Sequence, residues 1–255
     1  MKQGIIFDMD GTLWDSAEQV AASWTLALHQ CGYADAVVTK EDMYRTMGRT
    51  MDKIAEMLFP FTKGKEREDL LATCCAVEND YLREHGGKLY PGLRQTMETL
   101  QKAGYHLYIV SNCQSGYIEA FLDYFSFHDL FEDILCFGDN GKPKGENIRL
   151  LYEKNHLDTA VYVGDIQGDY DATMQAGLPF IHAAYGFGQI DHPVEKIDAL
   201  TDLPEVMKKM GLEQIWNYRT NIKNYRTICG TWEALLWHFP AVWIRPFYLP
   251  QPSIL

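Results

Sequence analysis

Two aspartates stand two residues apart, directly after a short apolar run near the beginning of the chain. Asp8 and Asp10 follow residues 4–7, and Gly11 comes next. Alternate residues of a strand share a face, so both carboxylates can point into one site, while a glycine lets the chain turn away sharply. Carboxylates this close repel each other unless a cation joins them or one takes a proton. The segment is therefore either a site of carboxylate and metal chemistry or an Asp-rich turn after a buried strand.

Two later apolar runs also end in polar residues. Residues 107–110 lead into Ser111 and Asn112, and residues 161–163 lead through a glycine into Asp165. In an open α/β sheet, ligands bind beyond the carboxyl ends of the strands. We therefore expect these polar residues to meet the first two aspartates at one edge of a sheet.

A basic turn and further aspartates complete the set. Lys142 and Lys144 stand just before a helical stretch, and Asp169 and Asp171 follow Asp165. Taken alone, the three aspartates also suit the N-terminus of a helix, where acidic side chains are favourable.

The order of these motifs along residues 1–210 resembles the haloacid dehalogenase superfamily, in its phosphatase branch. The motifs are Asp-x-Asp-Gly-Thr, a strand ending in Ser-Asn, a lysine, and Gly-Asp-x-x-x-Asp. The resemblance, which extends to phosphoglycolate phosphatases with a helical cap of the C1 type, implies a Mg²⁺-dependent phosphatase. Such an enzyme would hydrolyse a small phosphorylated metabolite, phosphoglycolate or a similar compound, through an aspartyl-phosphate. Dehalogenases of this superfamily lack the second aspartate, so Asp10 indicates phosphate chemistry.

The resemblance also implies a role for each acidic residue. Asp8 is the expected nucleophile, and Asp10 is the general acid for the leaving oxygen and then the general base for water. The expected Mg²⁺ ligands are the side chains of Asp8 and Asp165 and the backbone carbonyl of Asp10. Asp169 is expected mostly behind them, where it orients ligands and waters.

Four further residues are expected to contact the substrate. Ser111 and the amide of Asn112 would hold phosphoryl oxygens, and Lys144 would neutralise their charge. Lys142 competes for the role of Lys144, because many relatives carry a lysine directly before proline. Arg49 is either a ligand for an anionic leaving group or a solvated arginine at a helix end.

The elements that must position these residues follow an alternating pattern. Short apolar runs predict strands at residues 4–7, 106–110, 134–137, 160–163 and 180–184. Helical stretches at 116–125, 146–155 and 170–176 separate them. Continuous apolar runs of this length suit strands buried on both faces, so the fold class is α/β, with a doubly wound and mainly parallel sheet.

Residues 15–88 interrupt this alternation and contain no convincing strand. Amphipathic helices are predicted there at residues 16–30, 40–47, 51–58 and 66–84. By resemblance this segment is the helical cap, inserted into an α/β core made of residues 1–14 and 89–211. Specificity is expected to come from the cap, whose closure would exclude bulk water.

The last segment, residues 212–255, differs in composition from the rest. It contains four of the six tryptophans, and its basic residues outnumber its acidic ones although the whole chain has a net charge of −12. Apolar residues recur there at heptad-like spacing, which favours packing against the body of the protein or self-association over a membrane role. The chemistry of this extension is not assigned.

Composition excludes several other classes of function. A net charge of −12 leaves no basic stripe for nucleic acid. No run approaches the roughly 18 apolar residues that a membrane span requires. The six cysteines show no metal-like spacing and, with no secretory signal, indicate reduced thiols in the cytoplasm. Cys113 is interpreted as a buried packing residue rather than a nucleophile.

Several alternatives share parts of this pattern. A sugar-phosphate mutase similar to β-phosphoglucomutase would share the motifs, but usually carries a histidine where this chain has Val20. A pyrophosphatase or nucleotidase of the same family would differ only in substrate. A non-catalytic binding protein on this scaffold would be expected to have lost a carboxylate or the lysine. An aspartyl-phosphate receiver lacks a helical insertion after its first strand.

Overall fold

The computed structural model describes residues 1–211, and the elements below are those of this part of the chain. The strands are β1 (Gln3–Phe7), β2 (Trp14–Asp15), β3 (Lys88–Leu89), β4 (Tyr105–Ser111), β5 (Asp133–Cys136), β6 (Thr159–Gly164), β7 (Phe180–Ala183) and β8 (Glu195–Ile197). The helices are α1 (Ala17–Gln30), α2 (Lys40–Thr46), α3 (Met51–Leu58), α4 (Gly64–His85), α5 (Leu93–Lys102), α6 (Tyr117–Phe125), α7 (Phe137–Asn140), α8 (Lys144–Lys154) and α9 (Gln167–Ala176). A short 3-10 helix follows at Leu200–Asp202.

Six parallel strands form the central sheet, in the order β5-β4-β1-β6-β7-β8. Both faces of β1 are buried, and alternate residues face opposite sides. Ile5 and Phe7 belong to the apolar cluster on one face, whereas Ile6 belongs to the cluster on the other face. The sheet is therefore covered by helices on both sides, which confirms the predicted doubly wound α/β fold.

The register of the sheet aligns the ends of its three central strands. Phe7 of β1 pairs with Ile109 of β4 on one side and with Val163 of β6 on the other. The amide of Asp8 then donates to the carbonyl of Val163 at 2.9 Å. Residues that follow these three strands consequently come together at one edge of the sheet.

Four helices, α1 to α4, form the helical cap between β2 and β3. These two strands pair antiparallel, Trp14 with Leu89 and Asp15 with Lys88, so the outgoing and returning connections are hydrogen-bonded to each other. The two strands lie at the predicted ends of the cap, residues 15 and 88, where the sequence analysis predicts no strand. Two-residue strands carry too little apolar pattern to be identified from sequence. The division of the chain into these domains stays a prediction.

Two helices begin earlier than predicted. Helix α8 starts at Lys144 rather than at 146, and α9 starts at Gln167 rather than at 170. The first turn of α9 contains Gly168 and Asp169, which favour loops in isolation. Here the Asp169 carboxylate accepts from the amides at the beginning of the helix and stabilises the turn.

Two other predictions concern membrane-spanning helices and the C-terminal segment. Within residues 1–211, no helix is both long enough and apolar enough to cross a membrane. The predicted aromatic extension, residues 212–255, and its proposed self-association lie outside the described residues.

The buried face of α1 can be tested with a matched pair of substitutions. Leu28 is buried, whereas Leu26 on the same helix is 43% exposed. We expect Leu28→Ala to lower the free energy of unfolding by about 2–4 kcal/mol, because it leaves a cavity between α1 and its neighbours. Leu26→Ala should change it by less than about 1 kcal/mol. Urea denaturation followed by circular dichroism measures both, and equal losses would contradict this packing.

Candidate active site

The turn after β1 brings the two aspartates of the first motif to the edge of the sheet. Gly11 makes this possible, because its φ is +81° and a Cβ there would lie 2.0 Å from Oδ2 of Asp165. A side chain at this position would be both strained and in collision with the site. The glycine therefore lets the first motif pack directly against the acidic residue that follows β6.

Lys144 lies at the centre of the acidic residues. Its ammonium nitrogen is 2.8 Å from Oδ1 of Asp8 and 2.6 Å from Oδ1 of Asp169. All three side chains are at least 95% buried, so the ion pairs are shielded from water. The same ammonium lies 5.9 Å from the centre of the Tyr162 ring. Because Lys144 is the first residue of α8, the beginning of that helix sets the position of the cation.

Asp165 is held by backbone groups on two sides. The amide of Phe187 donates to its Oδ2 at 2.7 Å. Gly186 packs so closely that a Cβ there would lie 2.3 Å from the Cβ of Asp165. The other carboxylate oxygen, Oδ1, is buried and accepts no hydrogen bond from residues 1–211. A buried carboxylate oxygen without a donor is unfavourable, so this atom calls for a ligand.

The donor set around this oxygen fits a divalent metal ion. One carboxylate oxygen from each of Asp8, Asp165 and Asp169 lies within 4.8 Å of the other two. Three carboxylates face a single ammonium, so the site is short of positive charge. Mg²⁺ prefers carboxylate oxygens and water as ligands, which matches both the chemistry and the charge deficit. Asp169 already accepts from Lys144 and from two backbone amides, so it has the least capacity left for a metal.

Burial favours proton uptake by the carboxyls of this site. Burial, and then the charge of Asp169, raise the pKa of Asp8 to about 7, although Lys144 acts in the opposite direction. Burial and the neighbouring charges of Asp169 and Asp8 raise the pKa of Asp165 well above its usual range. Burial alone would lower the pKa of Lys144, but the carboxylates of Asp169 and Asp8 raise it well above its usual range. The lysine therefore stays charged.

Asp10 has different partners from Asp8. Its Oδ1 accepts from the hydroxyls of Ser16 and Tyr117, each at 2.7 Å. Burial raises the pKa of Asp10 to about 6, and these two hydrogen bonds act against the rise. Asp10 can therefore exchange a proton close to neutral pH while its orientation is fixed by two hydroxyls.

A cavity of about 480 Å³, its open mouth included, lies between the sheet edge and the cap. Asp8, Asp10, Ser111 and Asn112 line it from the core. The cap supplies mainly apolar side chains together with two ionisable ones. Those cap residues are Val20, Trp24, Met43, Thr46, Met47, Gly48, Arg49, Met51, Ile54 and Glu78. Apolar walls with a few polar and charged groups at one end are typical of a small-molecule site.

The predicted site residues are thus found in one region, with differences in how they are placed. The exposed side chain of Arg49 lines the cavity from the loop between α2 and α3 and makes no ion pair within residues 1–211. Asn112 joins core and cap, because its Nδ2 donates to the carbonyl of Gly48 at 3.0 Å. Lys142 makes no ion pair in the described chain, and Asp171 is exposed and accepts from Gln167.

Four residues near the site were not predicted from the sequence. Ser16 and Tyr117 hydrogen-bond to Asp10, Glu78 lines the cavity, and Tyr162 lies under Lys144. Tyr117 is 107 residues from Asp10. Ser16 alone had a signal, because it stands at a predicted helix start shortly after the first motif.

The comparison with protein families decides what this arrangement belongs to. The sequence model of the haloacid dehalogenase-like hydrolases matches residues 5–183, which include every motif described above. The chain belongs to this family.

Relatives found by sequence similarity agree with this assignment. The chain is 27% identical to phosphoglycolate phosphatase from Vibrio parahaemolyticus over 219 residues, covering 80% of this chain and 95% of the relative. It is 26% identical to phosphoglycolate phosphatase from Escherichia coli O157:H7 over 210 residues, covering 72% and 82%.

Two crystal structures share the fold of this protein. One is described as a haloacid dehalogenase-like hydrolase from Bacteroides fragilis, with a TM-score of 0.68, 23% identity, and coverage of 80% of this chain and 100% of that one. The other is CbbY from Rhodobacter sphaeroides in complex with phosphate, with a TM-score of 0.67, 21% identity and coverage of 84% and 99%.

The central ion pairs can be tested by removing the cation. We expect Lys144→Met to lower the free energy of unfolding by about 3 kcal/mol, because Asp8 and Asp169 would stay buried without their partner. Lys142→Met should change it by less than about 0.5 kcal/mol. Urea denaturation in EDTA measures both without a contribution from bound metal. A larger loss for the Lys142 variant would contradict the position assigned to Lys144.

Proposed function

We propose that this protein is a Mg²⁺-dependent phosphatase that hydrolyses a small phosphorylated metabolite through an aspartyl-phosphate. One observation carries the proposal: a buried carboxylate, Asp8, is ion-paired with Lys144 while a second carboxyl, Asp10, lines the same cavity. Family membership and the phosphoglycolate phosphatase relatives support the same reaction class.

In the first step Asp8 is the nucleophile. Its carboxylate oxygen forms a bond to phosphorus while the bond between phosphorus and the leaving oxygen breaks. Asp10 donates a proton to the leaving oxygen, so an alcohol departs instead of an alkoxide. Lys144 balances the charge of Asp8 and of the phosphoryl oxygens.

In the second step water replaces Asp8. Asp10, which gave up its proton in the first step, now accepts one from the attacking water. The bond between Asp8 and phosphorus breaks, and inorganic phosphate leaves. The same group serves both steps because the first leaves it in the protonation state that the second requires.

The carboxylates of Asp8 and Asp165 and the backbone carbonyl of Asp10 are the proposed protein ligands of Mg²⁺. Asp169 orients them from behind, in line with its three existing hydrogen bonds. When bound, the ion supplies positive charge that offsets the repulsion between the carboxylates and the phosphoryl group. The unsatisfied Oδ1 of Asp165 supports this assignment.

The substrate is proposed to bind with its phosphoryl group at the core and its leaving group towards the cap. Ser111 and the amide of Asn112 would hold phosphoryl oxygens. Arg49 is the candidate for an anionic part of the leaving group. Phosphoglycolate is the first compound to test, because it is the substrate named in the relatives.

Water is favoured over a sugar phosphate as the final acceptor. A mutase would need a further group to move protons between sugar hydroxyls. The position where such enzymes usually carry histidine is Val20, which lines the cavity with an apolar side chain.

The nucleophile and the metal can be tested together by phosphate release. We expect the wild type to release phosphate from small phosphomonoesters, pyrophosphate or nucleotides only with Mg²⁺, and EDTA to abolish it. Asp8→Asn should lower kcat by about 10³-fold or more, because an amide cannot attack phosphorus. The matched control is Asp171→Asn, whose carboxylate is exposed on α9. It should stay within about twofold of the wild type. Equal turnover by the Asp8→Asn variant and the wild type would overturn the proposal.

The role of Asp10 predicts a pH effect. The free enzyme needs Asp10 protonated, so kcat/KM should fall as pH rises through the pKa of that group. Tyr117→Phe removes a hydrogen bond that favours the charged carboxylate, so the pKa rises and the alkaline limb moves to higher pH, by about half a unit or more. Tyr124→Phe, on the exposed side of the same helix, should leave the limb in place. A shift of the limb to lower pH in the Tyr117 variant would contradict this role.

A further inference from the structure

The buried stripe of the cap helix α4 contains one carboxyl group. Leu70, Cys74, Glu78 and Leu82 follow one another at intervals of four, and all are buried. Positions of this kind are usually apolar, because burying a carboxyl is unfavourable unless it is paired or fully hydrogen-bonded. Glu78, which is only 3% exposed, therefore calls for an explanation.

The hydrogen-bond partners of Glu78 are uncharged groups. The indole N–H of Trp24 donates to its Oε2, and a hydrogen bond to the side chain of Gln114 also favours the charged carboxylate. No lysine, arginine or histidine of residues 1–211 forms an ion pair with Glu78. Burial raises the pKa of Glu78 to about 8, and the charge of Asp10 adds to the rise. The carboxyl thus lacks the cationic partner that buried acids usually have.

Glu78 lines the same cavity as the proposed nucleophile. Asp8 and Asp10 face this cavity from the core, and Glu78 faces it from the cap. The cap walls beside it are apolar side chains such as Val20 and Met43. A phosphoester whose phosphoryl group lies at Asp8 extends its leaving group towards the cap, where Glu78 is the buried acidic group.

We propose that Glu78 determines specificity by hydrogen bonding to a donor, a hydroxyl or an ammonium, on the leaving group of the substrate. This inference rests on the proposed phosphatase function. A donor on the ligand would add a hydrogen bond to the carboxyl, and an ammonium would also supply its missing cation. A carboxylate in that place would oppose the ionisation of Asp10 and Glu78, whereas an ammonium would favour it. The preferred substrates are accordingly phosphate esters of short polyols or amino alcohols, and phosphoglycolate is a poorer one.

Four phosphate esters of equal chain length isolate this effect. They are 2-hydroxyethyl phosphate, 2-aminoethyl phosphate, ethyl phosphate and phosphoglycolate. The second carbon bears a hydroxyl in the first and an ammonium in the second, is a methyl group in the third and is the carboxylate carbon in the fourth. With Mg²⁺, we expect the wild type to show a kcat/KM at least about tenfold higher for the hydroxyl ester, the amino ester or both than for the other two. Preference for phosphoglycolate, which Arg49 would explain, overturns the inference.

Variants of Glu78 show whether that residue is responsible. Glu78→Leu should reduce the preference for the hydroxyl and amino esters over ethyl phosphate by about tenfold or more. Glu78→Gln should retain the hydroxyl preference and lose the amino preference, because an amide hydrogen-bonds but carries no charge. Glu68→Leu, an exposed position on the same helix, is the matched control and should leave all ratios unchanged.

The readout separates specificity from folding and from the proposed function itself. A purely structural role would lower kcat/KM for all four esters equally, and unchanged ratios in Glu78→Leu would overturn the inference while the phosphatase proposal stands. If no ester is hydrolysed and the wild type also releases no phosphate from pyrophosphate or nucleotides with Mg²⁺, the proposed function fails, and this inference fails with it. Release from pyrophosphate or nucleotides without hydrolysis of any of the four esters would overturn this inference alone.

Discussion

The buried ammonium of Lys144, held between Asp8 and Asp169, is the interaction on which the site depends. Two carboxylates that both contact one ammonium lie close enough to repel each other, and both are removed from water. The lysine makes their proximity possible, and the beginning of α8 fixes where it lies. Even so, three carboxylates share one ammonium, and Oδ1 of Asp165 has no donor within residues 1–211. This remaining deficit of positive charge makes the edge of the sheet suited to a divalent cation, and a cation held there would in turn offset the charge of a phosphoryl group.

The two aspartates of the first motif acquire different properties from different neighbours. Asp8 faces a cation and other carboxylates, whereas Asp10 faces the hydroxyls of Ser16 and Tyr117. A group beside a fixed cation is suited to act as an anionic nucleophile. A group between hydroxyls, with a pKa raised to about 6, is suited to carry a proton. Only Met9 stands between them in the sequence, and the fold gives the two carboxyls different hydrogen-bond and ion-pair partners.

The core of the fold and the edge residues follow from local sequence pattern. Continuous apolar runs mark strands that are buried on both faces, and the polar residues after them must meet where parallel strands end. The structure begins α8 at Lys144, two residues earlier than the sequence predicts, and leaves Lys142 just outside the helix. Contacts across the chain are different, because Tyr117 and Glu78 approach the site only through the packing of α4 on α6 and α1. Their roles depend on tertiary distances, and no periodicity of sequence encodes those. Helix α5 is absent from the helices predicted above, although the sequence carries a signal for it. Leu93, Met97 and Leu100 stand at helical spacing, and all three are buried.

Trapping the covalent intermediate tests the central claim most directly. The holoenzyme with Mg²⁺ is mixed with a substrate found by phosphate release, quenched in acid within the first turnover, digested and mapped by mass spectrometry. The account predicts one acid-stable phosphoryl group, on Asp8, and none in the Asp8→Asn variant. Turnover without a phosphoenzyme on that peptide, or a phosphoryl group on another residue, would contradict it.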